Sequence, residues 1–266
     1  MPLKIWLSTK TDIPVLGYFF QYQWVIYVFS WMGAIFDLTI PFILLCRKTS
    51  TIGFTLVVVF HVLTAILFPI GIFPYIMIIS AFVFFDPEVH EKLINRLKSY
   101  LSYPTLSISK KPIRFSFAQP IIGVFIIFQL LFPFRYKLYP GELFWTEEGY
   151  RFSWRVMLME KAGYANFRIV QGKESFHIDN NAHLTPFQEK QMAFQPDFIL
   201  EFAHYLRDLY AENGKGIPEV YVESHVTLNG RRSRPFINPD INLAQVKNSL
   251  RHKDWILPFE NDIKGI

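Results

Sequence analysis

The chain has 266 residues and a net charge of +5; hydrophobic residues make up 51% of it, aromatic residues 18% and charged residues only 18%. A soluble domain carries about 25% charged residues, so a wholly water-soluble protein is excluded. The basic excess sits beside apolar runs (Arg47-Lys48, Lys110-Lys111, Arg135 and Lys137), as in membrane-flanking segments, and no DNA- or RNA-binding motif accompanies it, so no nucleic-acid partner is expected.

The charges are segregated. Between Tyr22 and Phe85 only Asp37, Arg47 and Lys48 occur, whereas beyond Arg135 a charge appears every few residues. The pattern predicts a multi-span α-helical membrane protein with a C-terminal α+β extramembrane domain. The expected division is a transmembrane region over 1–135 and a soluble domain over 136–266. The first twenty residues show no basic stretch followed by an apolar core, so no secretory signal is read there.

A helix needs about 20 apolar residues to cross the hydrocarbon layer. Trp24–Cys46 meets that length and ends at Arg47-Lys48, with Cys46 read as a buried small hydrophobe. The run Ile52–Phe85 is too long for one span and short for two, and Phe68–Pro74 within it carries two prolines and a glycine. It is read as a span over 52–67, a break buried in protein, and a short helix over 74–85. An amphipathic helix follows over 87–101, with Val89, Leu93, Leu97 and Leu101 at spacing four. It fits an ordinary surface helix and a helix lying on the bilayer equally well. The last span is expected over 120–134. Basic loops on both sides of 52–85 suggest that this stretch enters the membrane and returns, leaving the C-terminal domain on the non-cytoplasmic side.

In the second half, Asn166–Val170 and Ser175–Asp179 read as strands around Gly172-Lys173. Pro196–Ala211 reads as an amphipathic helix with Gly214 beyond its end. Val220–Leu228 and Arg232–Ile237 flank Asn229-Gly230, a strong hairpin signal.

Two ionisable residues stand out in the membrane segments. Asp37, in mid-span, must face protein or water, because an intramembrane carboxylate costs about 2.5–3.5 kcal/mol on insertion scales. His61 lies just before the helix break and could move protons near neutral pH. The alternative for both is a structural hydrogen bond between helices, for His61 with Thr64 or Thr39. In the run WTEEGYRFSWR, Arg151 and Arg155 are four apart and on a helix would share a face able to hold a carboxylate. The competing reading is a surface helix with Glu147 or Glu148 paired to Arg151. The histidines show no metal-ligand spacing and the lone cysteine leaves no multi-cysteine site, so no metal is expected.

Three runs, FHVLTAILFPIGIFPYIMI (Phe60–Ile78), ELFWTEEGYRFSWRVML (Glu142–Leu158) and HVTLNGRRSRPFINPDIN (His225–Asn242), resemble the vitamin K-dependent gamma-carboxylase family. The bacterial members of that family share the horizontally transferred transmembrane (HTTM) domain. The resemblance implies a lyase-type carboxylase that oxidises a vitamin K hydroquinone-like quinol with O2 and adds CO2 to a peptide glutamate. Its cofactors would be the quinol, O2 and CO2, without a metal, and its partners membrane lipid and a glutamate-containing peptide or protein. Asp37 and His61 would then be catalytic candidates in the membrane pocket, and Arg151, Trp154 and Arg155 substrate-binding residues at its rim. By alignment the family's catalytic lysine falls near Asp12–Tyr18, where Leu16 takes its place and Lys10 is the nearest lysine. The family's further transmembrane helices, one bearing a catalytic histidine, lie upstream of where this chain begins, so it resembles the C-terminal two-thirds of a member: a fragment, a misplaced start, or one half of a split protein, in which case an upstream transmembrane half would be a partner. The alternative to an enzyme is a non-catalytic membrane-anchored binding protein, and a transporter ranks third.

Overall fold

The computed structural model describes residues 2–100, 118–155, 157–211 and 216–260. By internal contacts the chain divides into two compact units, Leu3–Arg114 and Phe115–Ile266. Leu101, the Lys110-Lys111 pair and Gly214 lie outside the described residues.

The first unit is helical: α1 (Pro2–Ser8), α2 (Leu16–Phe19), α3 (Gln23–Leu45), α4 (Ser50–Leu67), α5 (Phe73–Ser80) continued by a 3-10 turn over Ala81–Phe84, and α6 (Pro87–Tyr100). Hydropathy alone marks α3 and α4 as long and apolar enough to cross a membrane, together with Ala118–Leu138 in the second unit. The chain is thus an integral membrane protein. Helix α4 packs between α3 and the returning α5. Phe36 and Phe60 stack at 4.0 Å, and Gly53 lets α3 come close, since a Cβ there would lie 3.0 Å from the Ile43 side chain. Helices α1 and α2 carried no sequence signal. They cover the far end of α3 and α4 through a cluster of Leu7, Phe20, Val25, Ile26 and Leu67, with Leu16 packed against it.

The break between α4 and α5 lies where the prolines and glycine put it, but it is not buried. Pro69, Gly71 and Ile72 are exposed, and within 69–74 only Pro74 is buried. The 18 residues of α4 measure about 27 Å at 1.5 Å per residue, close to the ~30 Å hydrocarbon layer. The exposed backbone of the break is satisfied in part by local bonds such as Ile70 N–H to Phe68 O. At the other end, Arg47 Nε lies 2.7 Å from Asp86 Oδ2. That contact puts the start and finish of the 50–85 stretch side by side.

The second unit begins with α7 (Ala118–Leu131), which runs into a 3-10 segment over Phe132–Leu138, then α8 (Leu143–Thr146), α9 (Pro186–Met192) and α10 (Pro196–Ala211). Its sheet has the order β2-β1-β3-β4, antiparallel throughout, formed by β1 (Lys161–Gln171), β2 (Glu174–His177), β3 (Glu219–Leu228) and β4 (Arg234–Pro235). The long β1–β3 ladder runs from Lys161 opposite Leu228 to Val170 opposite Glu219. Alternate residues (Ala165, Phe167, Ile169; Val220, Val222, Val226) face one side, where Ile199, Phe202, Ala203 and Leu206 of α10 complete the core. Both expected hairpins and the 196–211 helix are present. Strand β1 starts five residues earlier than its apolar alternation indicated, and the α9 helix, capped by a Thr185–Gln188 capping box, was not foreseen.

Candidate functional site

The charged run after α8 folds as successive turns rather than a helix. Glu147 leaves α8 in the left-handed region (φ 58°), and Phe152, Trp154 and Met157 follow with φ of 64°, 59° and 58°. Such conformations in non-glycine residues cost on the order of 1–3 kcal/mol each and cluster where function demands them. Gly149 (φ 73°) passes so close to Tyr136 that a Cβ would sit 2.7 Å from the Tyr136 Cα. Arg151 and Arg155 therefore do not share a helical face, because there is no helix to align them. Arg155 donates from Nη2 to the Tyr136 hydroxyl at 2.7 Å and stands over that ring. Arg151 reaches Asp197 at 3.6 Å. Trp154 is 76% exposed.

The expected Glu147–Arg151 and Glu148–Arg151 pairs are absent because both carboxylates have stronger partners. Glu147 accepts a 2.8 Å bond from Lys161 Nζ, whose side chain is fully buried. The same ammonium donates to Trp145 O at 3.1 Å and lies 4.6 Å over the Phe236 ring. Burial pushes the Lys161 pKa down, while Glu147 opposes that shift. Burial, followed by the Glu147 charge, raises the Tyr150 phenol. Glu148, also buried, lies 2.9 Å from His252 Nδ1 and accepts from the Lys253 backbone N–H at 2.6 Å. Asp197 takes the Lys253 ammonium.

These groups wall a hollow of about 320 Å³ lined by Arg135, Tyr139, Glu147, Glu148, Arg151, Asp197, Glu201, Arg251 and Lys253, among others. Of its carboxylates, Glu147 and Asp197 face the Lys161 and Lys253 ammoniums, Glu148 is bonded to the His252 ring and the Lys253 N–H, and Glu201 has no cationic partner among the described residues. The guanidiniums of Arg135 and Arg251 have no carboxylate partner among the described residues. Nη1 of Arg135 is buried without a hydrogen-bond partner there, and the group is held 4.3 Å over Phe132. Planar guanidiniums on the wall of a hollow suit a carboxylate. Arg155 lines a neighbouring hollow, also about 320 Å³, which shares Tyr139 and Glu148 with the first.

In the first unit, Asp37 sits exposed in the middle of α3, with no hydrogen bond or ion pair among the described residues. His61 is 6% exposed, with Nδ1 2.9 Å from Val57 O of its own helix. Thr64 and Thr39 also bond to carbonyls of their own helices, so the interhelical bonds weighed for His61 are not formed. A carbonyl can only accept, so Nδ1 carries a proton and the ring's free position is Nε2. The Phe36 and Phe60 rings flank the imidazole at 6.2 and 5.3 Å. Lys161, Asp197, Arg135 and Arg251 were missed as site residues. Arg135 read as a headgroup flank, and Lys161 gave no signal, since a lysine on the inward face of a strand runs against the apolar pattern.

Residues 115–262 match the family model of the vitamin K-dependent gamma-carboxylase lumenal domain, and residues 1–88 match that of the HTTM domain. No solved structure matches the chain.

Proposed function

The chain belongs to the vitamin K-dependent gamma-carboxylase family, and on that premise we propose that it acts at the membrane on acidic peptides, carboxylating glutamate at the expense of a quinol. The observation that carries the peptide half of this reading is the hollow with its two unpaired guanidiniums, Arg135 and Arg251. They hold the side-chain carboxylate of the substrate, Arg151 helps draw it in, and the exposed Trp154 packs against the neighbouring peptide. Only one or two carboxylates fit, because Glu201 lines the same wall and repels a larger polyanion.

A bound quinol, oxidised by O2, would supply the strong base for glutamate deprotonation. On the chain's side, His61 would accept a proton at Nε2 between the Phe36 and Phe60 rings, with Asp37 on the facing helix next to Phe36. Leu16 does not fit the family's lysine role, since it is packed in an apolar cluster, and no proton transfer is assigned to it. The same observation favours a second reading, a membrane-anchored protein that binds acidic peptides without modifying them. The proposed location of the second unit is the non-cytoplasmic side.

The two readings separate in one assay. The full chain in proteoliposomes, given a reduced quinone, O2, labelled bicarbonate and a glutamate-rich peptide, should incorporate label, and His61→Ala should abolish it. Peptide binding without incorporation selects the second reading. Binding that survives in Arg135→Gln and Arg251→Gln refutes the hollow in both.

A further inference from the structure

We infer that α6 (Pro87–Tyr100) is an in-plane anchor, lying along the anionic phospholipid surface on the side of the membrane that Arg47 and Lys48 face. None of its residues is buried. Val89, Leu93, Ile94, Leu97 and Tyr100 are exposed by 41%, 46%, 49%, 53% and 88%. At about 100° per residue these five, with His90, fall within one arc of roughly 140°. The opposite face is sorted as well. Lys98 borders the arc on one edge, with Glu91 beside it, and Arg96 and Lys92 border it on the other, while Glu88, Asn95 and Ser99 occupy the middle of the polar side. Basic residues at both edges can bury their methylene stems beside the acyl chains and place their charges among phosphates, and the acidic residues then point to water.

The occupant of the apolar arc follows from continuity with the spans. The 3-10 turn Ala81–Phe84 emerges from the returning apolar segment directly before α6. Asp86, the residue preceding α6, is tied to Arg47 just past the end of α3. The helix thus starts at the water–lipid boundary. Its 14 residues make about 21 Å, too short and too charged to cross, so a path along the boundary places its two faces in the two solvents they match.

The test uses the full chain in vesicles of equal parts phosphatidylcholine and phosphatidylglycerol. The exposed Cys46 is replaced (Cys46→Ser), and an environment-sensitive fluorophore is attached to single cysteines at Leu93→Cys, Leu97→Cys, Glu91→Cys or Asn95→Cys. Lipids brominated on their acyl chains should quench positions 93 and 97 several-fold more than 91 and 95, and aqueous iodide should show the reverse order. Equal iodide quenching at all four positions would place the helix in water. Protection of 93 and 97 from both quenchers would mean that protein covers the arc. Either result overturns the proposal. In the background Lys92→Gln, Arg96→Gln, Lys98→Gln, bromine quenching should fall in the mixed vesicles and change little in pure phosphatidylcholine. An unchanged value in the mixed vesicles would refute the role of anionic lipid.

Discussion

Glu147→Gln should destabilise the second unit more than any single change on its surface, because it removes the counter-charge of a fully buried ammonium. Lys161 has a side-chain exposure of 0% and Glu147 one of 12%. The bonds remaining to Lys161 would be the Trp145 carbonyl and the Phe236 face. Breaking a buried pair by removing one partner costs about 3–5 kcal/mol, and the partial exposure of Glu147 argues for the low end. A loss of about 3 kcal/mol corresponds to roughly 150-fold faster amide exchange. The assay is hydrogen exchange by mass spectrometry on the full chain in detergent, following the β1 peptide 161–171. The pH dependence is a second signature. Burial lowers the folded pKa of Lys161, so between that lowered value and the ordinary ~10.4 the unfolded chain binds more protons and stability rises with pH. Without Glu147 the folded value falls further, so the deficit of the variant should shrink as the pH rises toward the ordinary lysine value. The double change Lys161→Met with Glu147→Gln should recover much of the loss, since no buried charge is left. Exchange within threefold of the native protein at neutral pH, or a deficit that grows with pH, would refute the assignment.

Trp145 donates from Nε1 to Leu257 O at 2.7 Å and is 1% exposed. Trp145→Phe leaves that carbonyl unpaired, and a loss of about 1–3 kcal/mol should appear as a lower thermal midpoint. Gly163 faces β3, where a Cβ would meet His225 O at 2.4 Å. Gly163→Ala should therefore push the two strands apart and speed exchange at both, and native exchange would contradict the register. Asp86→Asn removes only an exposed pair, 73% and 40% exposed, so the midpoint should not move. Gly149→Ala combines a positive φ with a backbone clash against Tyr136 and should cost on the order of 1–3 kcal/mol. Acidic-peptide binding should weaken with it, as read by isothermal titration.

Membrane spans are legible in a sequence because lipid acts on each residue locally. Apolar length alone located α3, α4 and, to within a few residues, the last apolar helix. The same holds for α10 and the two hairpins, whose periodicity and turn residues lie within short windows. The tertiary structure decided everything that joins distant positions. Strand β1 was read from Asn166 because Lys161–Ala165 lacks apolar alternation, yet β3, some sixty residues later in the chain, holds it in the sheet. The partners of Glu147 and Glu148 are Lys161 and His252 rather than the nearby Arg151. Four left-handed residues turned the expected helical face into a string of turns that sends Arg151 and Arg155 to different hollows. Spacing of four says what two side chains would share on a helix. Whether the helix forms depends on burial and charge neutralisation by residues up to a hundred positions away, and that energy is absent from any local window.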